Sequence, residues 1–94
     1  MMDDRWVILV WYRNSDGTED RDTHILPENM DKWGAVRVVA SILGLVPKKK
    51  GVKTSIELVY GKVWIESEYE DEFKNMRTFG FLQNEYTIEG KWEI

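Results

Sequence analysis

Asp20, Asp22 and His24 stand two residues apart in Asp20-Arg21-Asp22-Thr23-His24. On a β-strand all three side chains leave the same face. Two carboxylates and an imidazole are donor types that suit Zn, Mn or Mg, or that act as an acid/base pair. Side chains two apart on a strand lie ~7 Å from one another. A single ion would therefore engage two of the three and draw further ligands from Glu28 or Asp16, neither of which is specially placed. The reading preferred here is a polar hairpin arm whose charges discourage pairing along its edge. Asp20, Asp22 and His24 stay as metal candidates, and no residue is assigned a catalytic role.

The second constellation is acidic and aromatic. Trp64, Glu66, Glu68 and Glu70 alternate along one predicted strand, and Asp71 and Glu72 extend the acidic run. A hairpin turn at Gly61-Lys62 would set Val59 beside Trp64 and Glu57 beside Glu66. Neighbouring carboxylates of that kind are mildly unfavourable unless something cationic compensates them. Glu57, Val59, Trp64, Glu66, Glu68 and Glu70, with Asp20 and Asp22 on the polar arm, are therefore the expected partner-binding residues.

Other chemistry finds little support. The chain has no Cys, and its single His belongs to no Gly-x-Ser-x-Gly arrangement. No phosphate-binding glycine loop occurs, so no cofactor is implied. Lys48-Lys49-Lys50 is a short basic loop without interleaved aromatics, a poor start for nucleic-acid binding.

The elements that must position these residues follow from periodicity. Arg5 to Tyr12 is apolar on both strand faces, the pattern of a strand lying centrally in its sheet. Asn14-Ser15-Asp16-Gly17 is a turn signal, and a two-residue Asp16-Gly17 loop would pair Arg13 with Asp20 and Trp11 with Asp22. The returning arm runs from Thr18 to Leu26. A helix is expected over about residues 29 to 43, capped by Asn29 and stopped by Gly44 ahead of Pro47. Its apolar sector exceeds half the circumference, more than one sheet face normally needs, so the helix is expected to be either wrapped deeply by its own domain or buried against a second copy of the chain. Beyond it, Val52 to Tyr60 and Val63 to Glu70 read as one hairpin, and Arg77 to Leu82 and Glu85 to Ile94 as another turning at Gln83-Asn84. Asp71 to Met76 reads as a loop. The expected fold is one compact α+β domain over residues 1 to 94: an antiparallel sheet of about six strands, in order ββαββββ, packed on one main helix.

Composition narrows the function. Residues 1 to 50 carry eight basic and eight acidic side chains, and residues 51 to 94 carry five and nine, so the second half holds the net charge of −4. Nucleic acid is thus an unexpected partner. The apolar run from Trp6 to Tyr12 is too short to span a membrane, and absence of Cys suits a reducing compartment, so a cytoplasmic protein is expected. Five Trp, four Tyr and three Phe supply a core despite the small size. The combined expectation is a non-enzymatic interaction or inhibitor module that occludes another protein, one of basic character. An oligomeric small-ligand binder with an aromatic pocket is the alternative, and a metal-dependent hydrolase comes third.

Overall fold

The computed structural model describes residues 1–94 as an α+β fold in the order β1 (Met2–Arg13), β2 (Glu19–Ile25), α1 (Lys32–Leu45), β3 (Lys53–Glu70) and β4 (Met76–Glu93). The strands form one antiparallel sheet in the order β2-β1-β3-β4. The apolar β1 is central, as its two-sided pattern requires.

The expected six strands are four. Gly61-Lys62 and Gln83-Asn84 are not turns, because β3 and β4 each run unbroken for 18 residues. A Gly-x hairpin turn needs positive φ at its glycine, and only Gly17 and Gly51 adopt it here. Gly61 serves a different purpose. A Cβ built on it would stand 2.3 Å from the Tyr86 Cβ and 2.6 Å from the Glu85 carbonyl oxygen, so its bare backbone lets β4 close in. The neighbours expected from the first of those turns, Val59 with Trp64 and Glu57 with Glu66, give way to Val59 against Val7 and Ile88, and Glu57 against Leu9 and Lys91. The reversal falls at Asp71–Asn75, where Lys74 takes the left-handed conformation. The Asp71 carboxylate accepts from the backbone of Phe73 and Asn75, both at 2.9 Å.

Straight strands of this length would measure ~60 Å. The longest dimension of the molecule is 37 Å, so β3 and β4 must bend. Bulges between Leu58 and Val59, Gly61 and Val63, and Ile65 and Ser67 mark where they do so. At the middle bulge Gln83, Asn84 and Glu85 oppose Lys62 alone. The bend divides the core in two. On one face Ile8, Val10, Ile56 and Leu58 pack with Leu26 and with Ala35 and Val39 of α1. On the other, Val7, Leu9, Val59, Val63 and Ile65 form a second cluster with no helix over it, closed by Trp11, Ile25, Leu82 and Tyr86. Val59 and Val63 are 0% exposed there, so the sheet curls over its own back face.

The β1–β2 hairpin turns one residue differently from expectation, with Asn14 accepting from the Gly17 amide and donating its own to Thr18. Arg13 faces Glu19 and Tyr12 faces Asp20. This slip moves Asp20, Asp22 and His24 onto the face that carries Ile8, Val10 and α1.

Helix α1 starts later than expected. Asp31, not Asn29, is its N-cap, accepting from the Gly34 amide at 2.8 Å. Gly44 stays inside the helix, and Pro47 ends it by forcing Val46 into an extended conformation. The wide apolar sector is largely used by the sheet: Val36, Val38, Ile42 and Leu43 pack on the core, while Trp33 remains 74% exposed. No helix is long and apolar enough to cross a membrane.

Glycine replacements separate these roles. Gly61→Ala is expected to lose about 2–3 kcal/mol by forcing β3 and β4 apart at the bend. Gly44→Ala, which meets nothing within 4 Å, is expected to gain up to ~1 kcal/mol from helix propensity. Urea denaturation of the two variants checks both signs.

Candidate interaction surface

The bend brings a charged side chain into the interior. Arg5 lies on the curled face of β1, and its side chain is 0% exposed. Its Nε donates to Asp3 at 2.8 Å, Nη1 to the Leu26 carbonyl at 3.1 Å and to Glu68 at 2.9 Å, and Nη2 to the other Glu68 oxygen at 3.1 Å. The fork–fork pairing with Glu68 holds the guanidinium charged well above its ordinary range, and Asp3 adds to this against the cost of burial. The same hydrogen bonds from Arg5 hold the Glu68 carboxyl below its usual value, and Thr78 assists by donating at 2.9 Å. Glu68, expected on a docking surface, is therefore a structural anchor. It ties the overhanging end of β3 to β1 and to the exit from β2.

The remaining expected partner-binding residues are dispersed. Val59 is sealed in the second cluster, which removes it as an apolar anchor. Glu57 does not meet Glu66. It lies across from Leu9 and Lys91 and accepts the Trp11 indole hydrogen bond, so a cation does stand beside it. Glu66 occupies the bulge after Ile65 and accepts from the Trp64 indole at 3.0 Å. Glu70 is exposed near the β3–β4 turn. Asp20 and Asp22 are exposed along β2, far from Trp64 in sheet order. Burial, and secondly the nearby Asp22 carboxylate, raise the Tyr12 hydroxyl above its ordinary value. Asp20, Asp22 and His24 share a face but do not converge, and no set of three His, Asp or Glu side chains gathers in metal-binding geometry.

A different surface emerges. On the outward face of the upper β3–β4 hairpin, Trp64 stands between Met2 and Phe81, and Phe79 stands opposite Ser67. Tyr69 stacks on Phe79 with ring centroids 5.9 Å apart. Met2, Trp64, Tyr69, Phe79 and Phe81 are each between 43% and 63% exposed. They form an unbroken apolar strip on hydrogen-bonded strands. Contiguous exposed patches of this kind mark interaction sites, unlike single scattered apolar residues. Trp64 was among the expected partner-binding residues, but Phe79 and Phe81 were not. Trp6 and Tyr60, 4.9 Å apart, lie on the same face nearer α1, beyond the charged Asp4–Lys62 pair.

A cavity of about 600 Å³ opens instead on the curled face beside Trp11, Arg13, Lys53, Glu57, Lys91 and Glu93. Trp11 is the only aromatic residue lining it, and its polar rim differs from the mostly apolar walls of small-molecule sites.

No protein-family model, curated protein or solved structure matches this chain. The functional reading rests on the molecule's own surface.

The Arg5–Glu68 anchor has measurable consequences. Arg5→Ala is expected to lose about 3 kcal/mol, since it leaves Glu68, Asp3 and the Leu26 carbonyl without their donor. Because the folded Glu68 pKa is depressed, its contribution is complete above the usual value of 4.5 and is lost as pH falls through the lower folded value. Thermal melts should therefore show wild type well above Glu68→Gln at pH 7, with the gap shrinking below pH ~4.

Proposed function

We propose that the protein is a protein-interaction module that acts by covering a surface of its partner, with the strip of Met2, Trp64, Tyr69, Phe79 and Phe81 as its working face. The observation that carries this reading is the position of five large apolar side chains on one outward face. Aromatic residues on a rigid scaffold lose little conformational entropy on binding and supply large contact areas, which is why they dominate binding hot spots. The strands beneath them are fixed by the Gly80 contact, where a Cβ would lie 2.3 Å from the Trp64 carbonyl oxygen, and by the Arg5–Glu68 anchor. No chemical step is needed for such a module to inhibit or to recruit.

An exposed apolar centre favours this surface over the polar hairpin arm. Asp20, Asp22 and His24 present no apolar centre around which a partner could exclude water, whereas the strip does.

Replacing Phe79 and Phe81 together by Ser should leave the fold intact, at a cost below ~1 kcal/mol, because both rings are more than half exposed. Native mass spectrometry of the tagged chain recovered from its host lysate should show an added protein mass for wild type and none for the double variant. Equal added mass on both would move the working surface away from the strip.

A further inference from the structure

The helix side of the sheet is one continuous face. Even-numbered residues of β1 and β3 line it from Val10 and Ile56, through Trp6 and Tyr60, to Met2 and Trp64. Helix α1 covers its lower half over Ile8, Val10, Ile56 and Leu58, and its upper half is open. We infer that the open half receives a second helix, supplied by another protein and carrying an apolar face flanked by Lys or Arg. This inference rests on the strip being the working surface and names the chemistry of what binds there.

The precedent is within the chain. The sheet already seats one helix on this face through apolar side chains of β1 and β3. Dimensions agree as well. From the Asp4–Lys62 pair to the Tyr69–Arg77 pair the strip extends ~20 Å along β3. That is the length of ~13 helical residues. The face is three strands wide at Met2, Trp64 and Phe81 and continues beyond them on β3 and β4 alone, where the Tyr69 and Phe79 rings stack.

Charge then selects the helix. Lys62 is bridged to Glu85 and Arg77 to Asp71, each at 3.2 Å, so both bases on this face are neutralised within the chain. Asp4 and Glu66, at the strip's margins, make no ion pair; Glu66 only accepts the Trp64 indole hydrogen bond. Glu70 and Glu72 are likewise unpaired at the hairpin end, where Lys74 is the one unpaired base. An acidic helix would set carboxylates against carboxylates. A basic one places cations at the rim, where they steer encounter and fix register, and leaves the centre to the aromatic rings.

The five Trp residues make this testable, because each contributes one indole N–H signal to a ¹H–¹⁵N spectrum. Trp64 reports on the strip. Trp33, more exposed but on α1, is the internal control. The probes are two synthetic amphipathic helical peptides, one of Leu and Lys and its twin of Leu and Glu. The Lys peptide should move the Trp64 signal and leave that of Trp33 in place. Its affinity should fall at least ~3-fold with added salt, and again in a variant combining Asp4→Asn with Glu66→Gln. The Phe79→Ser, Phe81→Ser variant should abolish the response.

Four results would overturn the inference. An equal response to the Glu peptide removes the basic partner while leaving the strip as the working surface. Movement of Trp64 with the protein's own concentration makes a second copy the occupant. Parallel movement of Trp33 shows unselective coating of an acidic protein. No response of Trp64 to either peptide shows that the strip does not take a helix, and only a strip-independent native mass spectrum would also remove the parent reading.

Discussion

A 94-residue chain that commits 36 residues to two paired strands must fold those strands back upon themselves, and Arg5 is what holds them there. Its guanidinium lies under the overhang of β3, beyond the point where β1 can support it. Four hydrogen bonds join it to Asp3 beside it, to the Leu26 carbonyl at the end of β2 and to both oxygens of Glu68. Taking one cation out of water for this purpose is costly, and two carboxylates and a carbonyl offset the cost. Lysine could not do the same, because the task needs a planar fork that engages three chain segments at once.

From that curl follows the division of the molecule into a helix-covered face and a self-covered one. Val7 and Leu9 look into the second cluster and Ile8 and Val10 look toward α1, which is why β1 is apolar at every position between them. The same curl turns the helix-side face of the upper hairpin outward. Trp64, Phe79 and Phe81 are exposed there because α1 ends its coverage lower down, and the second core lies on the other side of the strands beneath them.

Much of this architecture was legible in the amino-acid pattern. The central β1, a turn within Asn14–Gly17 though not its register, the single helix stopped near Pro47 and the loop after Glu70 all follow from local chemistry. The long strands did not. In β3 the buried positions are even-numbered through Leu58 and odd-numbered at Val59, Val63 and Ile65. A hairpin turn at Gly61-Lys62 produces that change of parity, and so does a strand whose buried face switches where it bends. Pattern alone does not separate the two, because the deciding contact, Tyr86 closing on Gly61, comes from a strand much later in the chain. The surface was misread for the same reason. With a turn in place Val59 and Glu68 would face a partner, whereas without it one is core and the other an anchor.

The strand order also sets a timetable for synthesis. The most apolar strand is translated first, and only β2, which is short and almost wholly polar, can pair with it early. The other flank of β1 finds its neighbour when β3 has emerged, and the link between the backbones of Met1 and Ile65 closes last along that pair. At ~5–20 residues per second the interval is several seconds. During it an uncovered Val-Ile-Leu-Val edge is available to any nascent chain or chaperone nearby. The acidic residues at its start and the charged β2 beside it then act as guards for the newborn chain, well before either has a place in the folded one.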